Sequence, residues 1–89
     1  PLVLSIDAEG GMYLNIGDPQ ARQSDERVLE VVSAALRREP ERPVLVKADR
    51  TVAYGRVVEG MSLLQEAGAQ KVGFATESPA PEPRKSGKR

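Results

Sequence analysis

Asp49, Arg50 and Tyr54 form the densest polar group that falls near the end of an expected strand, where open α/β sheets often hold their ligands. A carboxylate, a guanidinium and a phenol so spaced could bind a small ligand or carry acid–base chemistry. The plainer alternative is that Asp49 makes a turn, Arg50 is solvated and Tyr54 packs over a helix start. Asp7 and Glu9 are a second carboxylate pair, of the kind that serves metal binding or proton transfer. Turns are rich in such residues for backbone reasons alone. Gly10-Gly11 follows and reads as turn chemistry, because it leads into a strand and not into the helix N-terminus that a phosphate loop needs. Lys47 could meet an anion, or protect a strand from aggregation. Arg84, Lys85, Lys88 and Arg89 could touch anionic lipid or nucleic acid, or only solubilise the chain end.

The sequence has no His and no Cys. The commonest general base, the commonest metal ligand and the thiol nucleophile are therefore missing, and no disulfide framework is possible. Carboxylates, Lys, Tyr and Ser remain, but no nucleophile–base set is built from them. The expectation is a protein that is not an enzyme and needs no cofactor or metal.

A chain of 89 residues makes one small domain, which buries only roughly 60–65% of its unfolded surface. An oligomeric partner would add to a modest stability. Phe74, Tyr13 and Tyr54 are the whole aromatic set, so stacking platforms for bases or sugars are not expected. Residues 1–77 hold nine Lys/Arg against twelve Asp/Glu, and residues 78–89 hold four against one. A mildly acidic domain argues against a nucleic-acid partner, which needs a basic face. No apolar run is long enough to span a bilayer and no signal peptide is visible. Beginning at Pro1 without Met, the chain is expected to be a processed or excised fragment.

The elements that must position these groups follow from periodicity. Residues 2–7 and 12–16 alternate with a period of two, and Ala8-Glu9-Gly10-Gly11 between them predicts a hairpin. Gly17-Asp18-Pro19 breaks the second strand, and residues 18–23 are a loop with room for a short edge strand. Ser24 predicts an N-cap, Asp25 and Glu26 suit a first turn, and Val28, Val31, Val32, Ala35 and Leu36 make a buried stripe to about Glu39. Pro40 and Pro43 bracket the exit. Residues 44–48 form a strand whose Val44, Val46 and Ala48 face the core. A helix from about Ala53 to Ala67 is expected to bury Val57, Val58, Met61 and Leu64 and to stop at Gly68. Lys71 to Thr76 is the return strand, with Val72 and Phe74 inward.

Strand, helix and strand from Pro43 to Glu77 predict a parallel crossover unit. The fold class is α+β, a β-β-α-β-α-β chain with a small mixed sheet and two helices on one face. The other face would show Val3, Ser5, Tyr13, Asn15, Leu45, Lys47, Gly73 and Ala75, and at least one sheet edge would stay open to strand addition. Residues 1–77 are expected to be the domain. Residues 78–89 have three prolines and no apolar periodicity, and are expected to be a flexible basic tail.

An ordered set of short motifs resembles the periplasmic domain of the ExbD/TolR family. A strand ends in Ala48-Asp49, Tyr54-Gly55 opens the second helix, Ala67-Gly68 ends it, and Lys71-Val72-Gly73 begins the return strand. Tyr13 to Gly17, YLNIG, supports the match, which covers about residues 2–77. Ala53 stands where the family often has Pro. The ending Ala75-Thr76-Glu77 is closer to the TolR branch than to the ExbD branch.

The resemblance implies a small subunit of a proton-driven motor complex in the Gram-negative inner membrane. It would have one transmembrane helix carrying the proton-path aspartate, outside this sequence. What remains would be a periplasmic coupling module of Tol-Pal type serving outer-membrane integrity. The implied partners are a second copy, TolQ-type and TolA-type subunits and peptidoglycan. Alternatives are an ExbD-type module of TonB energy transduction, a ligand-binding domain or enzyme using Asp49, Arg50 and Tyr54, and an RNA-binding domain, which the acidic core disfavours. The expected partner or dimer surface comprises Leu2, Val3, Leu4, Ser5, Tyr13, Lys47, Asp49, Arg50, Tyr54 and Thr76.

Overall fold

A computed structural model describes residues 1–76. The tail expected at residues 78–89 lies outside the described residues. The elements are β1 (Leu2–Ile6), β2 (Met12–Leu14), α1 (Asp25–Arg38), β3 (Val44–Ala48), α2 (Tyr54–Glu66) and β4 (Val72–Thr76). They form a four-stranded mixed sheet in the order β2-β1-β3-β4. β1 pairs antiparallel with β2, whereas β1 with β3 and β3 with β4 are parallel, as the crossover unit predicts.

The hairpin is closed by the Asp7 side chain. Its Oδ1 accepts from the N–H groups of Glu9 (3.0 Å) and Gly11 (2.7 Å), and Gly10 supplies the positive φ of +89° that the turn needs. β2 ends at Leu14, short of the expected Ile16, because the Asn15 side chain replaces a rung of the ladder. Its Oδ1 accepts from Val3 N–H at 2.8 Å while its own N–H donates to Val3 O at 3.2 Å.

Ser24 caps α1 through its Oγ, which accepts from Arg27 N–H at 3.1 Å. Val28, Val32 and Leu36 are buried on one stripe. Gly68, at φ +109°, ends the turn after α2. Alternate residues of β1 and β3 are buried. With Met12, Leu14, Val57 and Leu64 they make one core between the sheet and two helices on a single face.

Two residues expected inside are outside: Val58 is 41% exposed and Phe74 51%. Their exposure follows from where α2 sits. It lies mainly over β1 and β3, and two contacts pull it that way. A Cβ at Gly60 would stand 3.0 Å from Ile6 Cδ1 and 3.3 Å from Leu4 Cδ2 and Met12 Cε, so any side chain here would push these side-chain ends aside, and glycine lets the helix approach closely without that. Arg56 then ties the helix to the hairpin and to α1, donating through Nε to Gly10 O (2.7 Å) and through both terminal nitrogens to Asp25 (2.9 and 3.1 Å). Glu59 accepts from the same guanidinium at 2.9 Å. Drawn toward β1, α2 and the core reach Val72 on the helix-side face of β4 but leave Phe74 half exposed. Val57, Gly60 and Leu64 take the buried stripe, and Val58, one residue round from Val57, falls off it.

Gly60→Leu should therefore lose about 1–3 kcal/mol by overpacking. Gly55, where an added Cβ meets nothing within 4 Å, should gain about 0.4–1 kcal/mol on change to Ala. Urea unfolding of both variants checks the pair, and equal effects would refute the close approach. The Arg56 hydrogen bond holds the Asp25 carboxyl below its ordinary value of 3.8, against the opposing pull of burial. A depressed folded-state value stabilises the protein above the unfolded value and is lost as pH falls through the folded one. Asp25 is 44% exposed, so the effect belongs in the range of about 0.2–1 kcal/mol. Asp25→Asn should lower the thermal midpoint at neutral pH and lessen its fall towards pH 3. Parallel melting profiles for the two proteins would show that the ion pair contributes nothing.

Candidate functional site

The loop after β3 brings the three polar candidates together, but each does something different. Asp49 N–H donates to Ile6 O at 2.9 Å, which anchors the loop to the end of β1. Its Oδ1 accepts from Thr51 Oγ1 at 2.6 Å and Thr51 N–H at 2.8 Å. These bonds hold the carboxyl below its ordinary value, the side-chain bond being the larger influence. Asp49 is thus a turn-making carboxylate, and the loop enters α2 at Ala53 without a side-chain cap.

Arg50 and Tyr54 line one side of a groove of about 560 Å³ with Asp49. The rest of its wall is apolar: Ala48, Val52, Val57, Met61 and Phe74. It opens between the start of α2 and the exposed Phe74 of β4. Tyr54, 81% exposed, stands at its rim. A groove of this composition is suited to holding apolar side chains of another molecule.

The remaining candidates separate by face. Leu2 and Leu4 are fully buried, so a partner can touch them only if β1 leaves the sheet. Val3, Ser5, Tyr13 and Lys47 share the face that carries no helix, with Ser5 in register with both Tyr13 and Lys47. Thr76 lies in β4 beside Ala48. Asp7, the other carboxylate candidate, is engaged in the hairpin. Its Oδ2 accepts from Tyr13 Oη at 3.0 Å, and hydrogen bonds, chiefly from Gly11 N–H, hold its carboxyl down. The same contact raises the Tyr13 phenol above its ordinary value.

Sequence reasoning placed Phe74 and Met61 in the core, made no use of Val52 and did not see Arg56 as a tie; Met61 and Val52 are partly buried against the core, and Phe74 is exposed. Gly60 was the available signal, since a glycine inside a helical pattern marks a close approach.

The family model described as biopolymer transport protein ExbD/TolR matches residues 1–78. The chain belongs to the ExbD/TolR family. It is 35% identical over 85 residues to the Tol-Pal system protein TolR of Pseudomonas aeruginosa, covering 88% of this chain and 58% of that protein. It is 35% identical over 80 residues to the biopolymer transport protein ExbD of Neisseria gonorrhoeae, covering 90% and 55%. The ExbD of Escherichia coli K12 is 29% identical, covering 90% and 54%. The chain thus spans just over half the length of these ExbD/TolR relatives.

If the groove is a surface and not part of the core, its exposed walls can be changed without unfolding the domain. Tyr54→Ser should stay within about 0.5 kcal/mol of the parent, and Phe74→Thr within about 1 kcal/mol. Leu64→Ala, at a fully buried position, should lose about 2–5 kcal/mol. Urea denaturation ranks the three, and a Phe74→Thr loss as large as that of Leu64→Ala would place Phe74 in the core.

Proposed function

We propose that this ExbD/TolR domain is a non-enzymatic periplasmic coupling module of a proton-motive-force-driven inner-membrane motor of Tol-Pal type. The match of residues 1–78 to the family carries the proposal. The geometry agrees with it in two ways. The carboxylates that sequence offered for catalysis are engaged by backbone and neighbouring side chains, Asp7 in the hairpin and Asp49 in the loop. The surface instead offers an apolar groove, an open sheet face and an open strand edge, which are features of a protein that binds other macromolecules.

In this reading the anchor is a membrane helix of the longer protein; no helix among the described residues is long and apolar enough to cross a membrane. The domain forms a homodimer, meets TolQ-type subunits through the anchor, and engages a TolA-type subunit and peptidoglycan on its periplasmic side. Val3, Ser5 and Tyr13 on the open face, and Asp49, Arg50 and Tyr54 at the groove, are the proposed contact residues. Leu2 and Leu4 join them when β1 is released. A second reading, an ExbD-type module of TonB energy transduction, is favoured by one observation: the identity to a Neisseria ExbD equals that to the Pseudomonas TolR.

Light scattering after size-exclusion chromatography should give twice the chain mass of 9.6 kDa. A strictly monomeric protein at high concentration removes the dimer from the proposal. Purified peptidoglycan sacculi should retain the domain above a control protein of similar charge. Retention no greater than the control removes the wall-binding part and leaves the ExbD-type reading ahead.

A further inference from the structure

A crossover helix ordinarily packs beside the strands it joins, which for α2 are β3 and β4, yet α2 lies mainly over β1 and β3. The two ends of the helix are held unequally. At the far end Leu64 is fully buried, and the N–H groups of Gly68 and Ala69 close the turn on Gln65 O and Leu64 O, each at 3.0 Å. The near end has no side-chain cap at Ala53, and a Cβ on Gly55 would meet nothing within 4 Å. Apart from the packing of Val57 and Gly60, what keeps this end toward the hairpin is the Arg56 fork on Gly10 O and the Asp25 carboxylate.

Two forces therefore oppose each other across the first turns of α2. Phe74 is half exposed and shares the groove with Val52, Val57 and Met61, so a swing of the helix start toward β4 would take apolar surface out of water. The Arg56 hydrogen bonds pull the other way, toward the hairpin and α1. Glu59, the third acceptor of the guanidinium at 2.9 Å, belongs to α2 itself and travels with it, so Arg56 keeps one charged partner in either position.

We propose that Arg56 is a latch for the groove: while it binds Gly10 and Asp25 the groove stands free, and on release the start of α2 pivots about Leu64 and settles over Phe74. Arg56 is thus a positioning residue, which acts on the groove without lining it. That the groove is a contact surface is taken from the proposed function; the latch itself depends only on the packing. It places the groove under the control of the hairpin and the first turn of α1, because the Gly10 carbonyl and the Asp25 carboxylate are the groups that the guanidinium must let go.

The chain has a single phenylalanine, so para-fluorophenylalanine incorporated during expression labels Phe74 alone. Broadening of its fluorine signal by a neutral nitroxide dissolved in the buffer reads the exposure of the ring. In the full 89-residue chain, Arg56→Met should lose most of the broadening seen in the parent. Arg56→Lys, which keeps the charge without the fork, should resemble it. Asp25→Asn, which leaves the Gly10 bond in place, should fall between. A merely stabilising role predicts the opposite sign, since a loosened domain exposes Phe74 more and broadens its signal further. Broadening equal to or above the parent's, in variants whose amide spectra remain dispersed, overturns the latch. Should Arg56→Met fail to fold, Arg56→Lys and Asp25→Asn carry the same test. No partner takes part in the measurement, so that result leaves the coupling role standing, and a domain that binds neither wall nor subunit leaves the latch standing.

Discussion

Gly60 meets β1 with no side chain of its own between the helix backbone and Leu4, Ile6 and Met12. A helix normally rides about 10 Å above a sheet on a layer of side chains, and removing that layer at one point lets it settle closer and to one side. Arg56, one turn earlier, makes the settled position specific by binding the hairpin carbonyl of Gly10 and the first turn of α1 at once. Hairpin, first helix and second helix thus share one guanidinium. The result is lopsided: β1, β2 and β3 are roofed, and β4 only as far as Val72. The exposed Phe74 and the groove beside it are two consequences of that offset.

How much of this could be read in the sequence follows from the range of the interactions. Alternation in β1 and β3, the Ser24 cap, the Gly10 turn and the Gly68 stop are encoded within a few residues, and all stand where the residues predicted them. Period-two alternation also separates the two sheet faces. It says nothing about how far along the sheet a helix sits, so Phe74 was assigned the face it does occupy and an enclosure it does not have. Lateral position is set by contacts between residues far apart in the chain, Arg56 with Gly10 and Gly60 with Leu4, and locally only the glycine inside the helical pattern at Gly60 hints at them. The early end of β2 has the opposite cause. Asn15 substitutes its own amide for a backbone rung, a local choice that alternation alone cannot distinguish from a longer strand.

Electrostatics explain why the polar candidates lead away from catalysis. Asp7, Asp25 and Asp49 all have depressed carboxyls, and in each the leading cause is a hydrogen bond that builds structure: Gly11 N–H, the Arg56 guanidinium and Thr51. A general base is tuned the other way, towards neutrality, so that it can gain and release a proton near its working pH. Depressed, hydrogen-bonded carboxylates are good anchors and poor bases. The aspartate of the groove is thereby part of its wall, which is otherwise mostly apolar.

The two outer strands of the sheet are treated differently, and the difference bears on assembly. The outer side of β2 is engaged at Met12, whose carbonyl accepts from Gln23 N–H at 2.8 Å, and α1 packs against the same strand. β4 has neither protection among the described residues. An exposed edge is a hazard for a soluble protein, and a small domain with a core of this size has little surplus stability with which to tolerate one. Proline, inward-pointing charge or a bulge would blunt it, yet Val72 to Thr76 has none of these. Among the described residues the outer edge of β4 is therefore regular and without a pairing strand.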